Sequence, residues 1–252
     1  MNLDISHILD DWPYEPGQVT ARRIRGKDGR DKIQLRLDLG ILQMETTGRP
    51  DGAKPHGHET VLAYYQHKLQ EHTARTGQAD GFELDSEACE LLRAEGVMFY
   101  HRYLAEFILE DFEGVERDTV RNLRLFDFCR AYAADESDRY VMEQYRPYVI
   151  MMCARARARA ALRDDKPQAA MSVVRKGIEE LEEFYESFGS EKLASGSGEL
   201  AALRALGKEV EMQMPVDPLQ KLHRQLDAAV AEERYEDAAD IRDQLRRTAG
   251  EV

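Results

Sequence analysis

Three groups of residues have types and spacings that could do chemistry. The first is a basic run: Arg22, Arg23, Arg25, Lys27, Arg30, Lys32 and Arg36 stand against only Asp28 and Asp31. In a chain of net charge −13, such a local excess could grip nucleic acid or an acidic protein. The same charges could instead protect a strand edge from pairing with another chain. The second group is His56 and His58, one glycine apart, with Asp51 and Glu59 nearby. Imidazole and carboxylate oxygen can gather on a metal, but two loop histidines are weak candidates, and the expectation is no metal. The third group is the cysteines, Cys89, Cys129 and Cys153, far apart and without metal-knuckle spacing; they suit reduced thiols in a cytoplasmic protein. Catalytic constellations are missing: there is no glycine-rich phosphate loop, nucleophile elbow or His-Glu-x-x-His. The chain is therefore expected to be no enzyme and to use no cofactor.

Contact chemistry is concentrated in residues 217–247. Pro218 is pre-set for a first helical position and Asp217 can cap it. Leu219, Leu222, Leu226 and Val230 recur at steps of three and four, which predicts one apolar helix face. After a break near Arg234, Tyr235, Ala238, Ile241 and Leu245 repeat the pattern, with Glu236 and Asp237 opening the helix and Arg246 and Arg247 closing it. Ala238 and Ala239 are small enough to let two backbones approach. The product is a short antiparallel helical hairpin, too small to bury its own stripe, so that stripe needs a second surface.

These residues resemble the UVR motif of the excision-repair proteins UvrB and UvrC. The resemblance is carried by Leu222, Leu226, Ala229, Val230, Glu233, Tyr235, Glu236, Ala238, Ala239, Ile241, Arg242, Asp243 and Leu245. It implies a protein–protein contact made through the hairpin, with Leu219, Leu222, Leu226, Val230, Tyr235, Ala239 and Arg242 as its contact residues. As a whole the chain looks like bacterial proteins that carry a UVR motif. Nothing in it resembles the helicase or nuclease parts of the repair proteins.

The other elements follow from period and punctuation. Leu3, Ile5, Ile8, Leu9 and Trp12 predict a short helical turn, with Trp12 as a packing anchor. Ile33, Leu35, Leu37 and Leu39 alternate with polar residues, and Asp28-Gly29 separates them from residues 19–24, which predicts a two-stranded ribbon. Gly40 is expected to mark a bulge. Such a ribbon is marginal alone, so its leucine face should lie on the helices. After a tightly turned polar loop (46–57), His58 and Glu59 are expected to start a helix carrying Leu62, Tyr65 and Leu69.

The middle of the chain predicts helices. Asp85 or Ser86 caps one filled by Cys89, Leu92, Val97, Phe99, Tyr100, Tyr103, Leu104, Phe107 and Ile108. Ala158, Ala161, Ala170, Val174 and Gly177 resemble a single, degenerate tetratricopeptide-type hairpin. Residues 195–198 are expected to form a flexible break. The fold class is thus mainly α: stacked antiparallel helical hairpins with an N-terminal two-stranded β-ribbon and a C-terminal UVR hairpin. Its divisions are 1–56 (β-hairpin and polar loop), 57–212 (helical body) and 215–248 (UVR hairpin).

No apolar run approaches the roughly 18 residues that span a bilayer, and the N-terminus lacks a signal-peptide pattern. The expected function is a cytoplasmic adaptor or scaffold that docks a protein, a second copy of the chain included, through the hairpin. The alternative is a nucleic-acid-associated, repair-linked factor that touches the polymer through Arg22, Arg23, Arg25, Lys27 and Arg30.

Overall fold

The two-residue repeat becomes a sheet: β1 (Thr20–Arg25), β2 (Asp31–Leu37) and β3 (Gly40–Glu45), in the order β1-β2-β3. The computed structural model describes residues 4–189, 196–214, 218–232 and 234–248. Both strand pairings are antiparallel, with Ala21 opposite Leu35 and Ile33 opposite Met44. The Asp28-Gly29 turn is where the sequence predicts it, with Gly29 at φ +74°, a conformation open to glycine at little cost.

The sheet has three strands, not two, and Gly40 opens a strand instead of marking a bulge. The chain reverses at Asp38-Leu39, so Leu39, expected on the core face, stands 88% exposed at the turn. This turn lacks the usual Asn-Gly signature. Arg36 stitches it instead: its guanidinium donates to the carbonyls of Leu37, Asp38 and Gly40.

Each sheet face has its own cover. Ile33, Leu35 and Met44 are buried with Ala105 of α3 (Ser86–Ile108), so the apolar face lies on a helix as expected. Lys32, Gln34 and Arg36 point the other way and are buried too. Arg22 donates to Gln34 and Gln34 to Gln43. Trp12 lies under the Arg22 guanidinium at 4.2 Å and its carbonyl accepts from Arg36. Trp12 is therefore an anchor, but over the polar face, just after the short helix α1 (Ser6–Asp10).

The helical body comprises α2 (Val61–Thr76), α3, α4 (Phe112–Tyr132), α5 (Glu136–Tyr140), α6 (Arg146–Arg163), α7 (Pro167–Ser187) and α8 (Gly198–Gln213). Thr60 caps α2 by accepting from the Ala63 amide, so the helix starts just after His58 and Glu59. Asp85 and Asp111 cap α3 and α4 in the same way. Helices α6 and α7 form a tight hairpin in which Ala158, Ala170, Val174 and Gly177 are buried and Ala161 is half-buried. A Cβ on Gly177 would come within 2.7 Å of the Ala154 Cβ, so glycine is what lets these helices approach. The expected break at 195–198 is partly structured. Ser195 lies outside the described residues, while Ser197 accepts from the Leu200 amide and from the Tyr185 hydroxyl. Val97 and Ile108, expected inside α3's packing, are 48% and 37% exposed.

Packing also buries charges of the helical body. Glu95, Arg102, Glu106 and Asp118 are at most 1% exposed. Arg102 donates Nε and Nη2 to the two oxygens of Asp118, at 2.6 and 2.9 Å, joining α3 to α4. Its Nη1 donates to the carbonyls of Glu45 and Gly48, tying the end of the sheet to the helices. Glu95 accepts from the amides of Val61 and Leu62 and pairs with Arg121, placing a carboxylate on the N-terminus of α2.

Glu106 differs from its neighbours. Burial, then the Asp118 carboxylate, push it up to about 8, against the pull of Arg117 and Arg102. Gly114 leaves it room, since a Cβ there would fall 2.6 Å from the Glu106 Cδ. The folded protein holds this proton more tightly than the unfolded chain. The contribution of Glu106 to stability is therefore full below about 4.5, its ordinary value, and is lost as pH rises through about 8. Glu106→Gln should flatten that decline: between those pH values the wild-type melting temperature should fall relative to the variant by roughly 2–4 °C or more. Parallel melting curves across the range would show that Glu106 does not hold its proton.

Candidate partner-binding hairpin

Contacts divide the chain into two compact units, Met1–Val210 and Glu211–Val252. The second holds α9 (Pro218–Ala231) and α10 (Tyr235–Thr248), the helical hairpin predicted from the stripe. The Asp217 cap and the Leu219 side chain lie outside the described residues.

The turn is closed by local bonds. The Arg234 amide donates to the Ala229 carbonyl at 2.8 Å, and the Ala238 amide donates to the Arg234 carbonyl at 3.0 Å. The Arg234 guanidinium bridges Glu232 and Asp237, at 2.8 and 2.6 Å. This places a cation between the end of α9 and the acidic first turn of α10, where the two helix termini favour both charges.

Burial sorts the stripe. Ala229, Ala238 and Leu245 are buried, and Leu222, Leu226 and Ile241 are half-buried. Val230 was expected on the same face, but it is 52% exposed. Ala229, three residues after Leu226, takes the interior place, because the next four-residue step rotates the chain past the seam.

Val230 instead joins a groove of about 660 Å³. Leu226, Val230, Tyr235, Ala239 and Arg242 of the predicted contact set line it, together with Asp227, Ala231 and Ala238. Leu222 is not part of its lining. Asp227 and Ala231 were missed as contacts because each stands one residue past an apolar position, and only the pairing of α9 with α10 brings them to the groove. Tyr235 is 68% exposed, so its ring is largely open to water and does not fold into the hairpin. The groove therefore offers an apolar centre between an acid, Asp227, and a base, Arg242.

Residues 217–247 match the family model of the UvrB/uvrC motif. Neither the curated proteins nor the solved structures yield a match to the chain. UVR motifs mediate protein interactions, and the motif points to a protein-interaction or repair-related role. In the UVR hairpin of this chain, the exposed apolar surface lies around the turn, at Val230 and Tyr235.

The other predicted sites are engaged within the first unit. Arg23 pairs with Asp111 at 2.5 Å, Arg25 with Asp31 at 2.8 Å and Arg30 with Asp28 at 2.9 Å. Arg22 is held by Gln34 and Trp12, while Lys27 is exposed. His56 stacks on Tyr64 at 4.2 Å, and His58 lies 5.1 Å from His67. No group of three or more His, Cys, Asp or Glu placed to hold a metal occurs among the described residues. The three cysteines are free and buried. Burial pushes the Cys89 and Cys129 thiols up to about 11 and about 12, which leaves them protonated and poor nucleophiles near neutral pH.

Proposed function

We propose that this chain is a protein-interaction adaptor that docks a partner through its UVR hairpin. The observation that carries it is the groove beside the turn, where a 68% exposed tyrosine and a 52% exposed valine stand over Leu226. Large apolar side chains gathered in this way gain most when a second surface removes them from water. The free, buried thiols support a reducing compartment such as the cytoplasm. No helix among the described residues is long and apolar enough to cross a membrane. A nucleic-acid-associated role through the basic ribbon has less support, because Arg23, Arg25 and Arg30 already face acids of this chain.

Ending the chain at Met214 tests the proposal. The residue 1–210 unit has its own apolar cores, so the shortened protein should keep a cooperative melt while partner capture, or self-association, is lost. Calorimetry beside a pull-down reads both. A shortened chain that no longer melts cooperatively makes the hairpin part of the structural core, and the adaptor function fails with it.

A further inference from the structure

A second cavity, of about 540 Å³, lies wholly within the first unit. Arg93, Gly96 and Tyr100 line it at steps of three and four along α3. Tyr148 of α6, Tyr145 just before that helix, and Glu199 of α8 also line it. The size and the mostly apolar lining are those of a small-molecule site.

The tyrosines form a corner. The rings of Tyr100 and Tyr148 stand 6.0 Å apart with their planes inclined at 60°. Tyr103, 1% exposed, fixes Tyr100 edge-to-face at 5.6 Å and 88°. Rings so inclined cannot cover each other's faces as stacked rings would, and Tyr145 is 53% exposed. Electron-rich faces are therefore left for a ligand. Such faces attract cations, and a quaternary ammonium, which has no proton to donate, suits them best.

The lining carries two charges of opposite sign. Glu199 is half-buried and acts at the aromatic end: burial, Tyr100 and Glu199 raise the Tyr148 phenol, against the pull of Arg155. Arg93 stands two turns of α3 before Tyr100, roughly 10 Å of helix rise. It is half-buried and pairs with no carboxylate among the described residues, Glu199 included. A simple anion would meet Glu199 and a simple cation would leave Arg93 unanswered. A ligand with one charge at each end answers both.

Gly96 lies on α3 between Arg93 and the tyrosines. It is buried inside a helix, where glycine weakens the structure, yet a Cβ there would meet nothing nearer than the Asn122 Oδ1 at 4.0 Å. Helix packing does not call for glycine at this position. Its effect is to leave the span between the two charges open.

We propose that this cavity binds a small betaine, with its quaternary ammonium among the rings of Tyr100, Tyr145 and Tyr148 beside Glu199 and its carboxylate on the Arg93 guanidinium. Nothing in this site draws on the hairpin, so it stands or falls apart from the adaptor function.

Calorimetric titration of the full chain with 4-(trimethylammonio)butanoate tests the proposal. The first comparison is 5,5-dimethylhexanoate, which has the same shape and carboxylate but a neutral head, and it should bind about tenfold more weakly or worse. Choline, a cation without the carboxylate, should also bind about tenfold more weakly. Arg93→Gln should bring the betaine down to the level of choline and leave choline unchanged. Tyr148→Leu should weaken both by about tenfold, whereas Tyr148→Phe, which keeps the ring, should bind as the wild type does. The comparison of betaine with its neutral-headed isostere uses the unaltered protein, so it decides even where a variant does not fold. The proposal is overturned by the absence of saturable betaine binding up to about 10 mM, by an isostere that binds as tightly as the betaine, or by wild-type betaine affinity in Arg93→Gln.

Discussion

Replacing Arg102 with alanine is expected to lower the stability of the residue 1–210 unit by ~3–5 kcal/mol. Arg102 is 1% exposed and Asp118 is equally buried, so removing the guanidinium takes two bonds from an interior carboxylate and leaves it only the half-exposed Arg117, whose Nε lies 2.8 Å away. It also orphans the carbonyls of Glu45 and Gly48, which accept from the same side chain. Arg102→Lys returns the charge without the planar fork and should recover only part of the loss. The control is Arg25→Ala, whose partner Asp31 lies in water: with those side chains 70% and 55% exposed, the cost should stay below ~1 kcal/mol. Denaturant unfolding of the three variants measures the difference. An Arg102→Ala loss no larger than that of Arg25→Ala would mean that water reaches the cluster and that it does not pin the sheet to α3.

Tyr235→Ala should weaken the partner complex by ~2 kcal/mol or more, the size of an interface hot spot. The ring is 68% exposed in the free hairpin, so a partner could cover much of it, on the order of 150–200 Å² when fully buried, with the hydroxyl left at a wet rim. The same exposure predicts that the free protein hardly responds: the helical signal and the melting of the hairpin should stay as in the wild type. Titration calorimetry and circular dichroism on one preparation separate the two quantities. Unchanged affinity removes Tyr235 from the interface. A less helical hairpin would instead show that the ring staples α9 to α10.

The two units differ in how much of them the residues announce. The hairpin is legible because its causes are local: steps of three and four, a break at Arg234, and acids on the first turn of α10. The same holds for the Asp85 cap and the Asp28-Gly29 turn, where each bond links residues close in the chain. Val230 shows where local periodicity stops. A three- and four-residue pattern admits both Ala229 and Val230 to the stripe, and only the approach of the second helix decides which is enclosed.

The third strand was hidden for a related reason. Its turn is held by Arg36 reaching over the carbonyls of Leu37, Asp38 and Gly40, and a long side chain carries no turn signature. The charges of α3 and α4 were harder still. On a single helix, Arg102 and Asp118 look like residues of a solvated face, and their separation of sixteen residues follows no helical repeat. They meet because the chain folds back between Ile108 and Phe112, and that return decides which charges leave water. The sequence by itself therefore determined where helices begin and which stretch is built for contact, since both depend on neighbours within a turn or two. The tertiary structure alone decided which ions are buried, which apolar side chains remain open, and that a cavity lined by tyrosines lies between α3, α6 and α8, because burial is set by elements that are distant in the chain and adjacent in space.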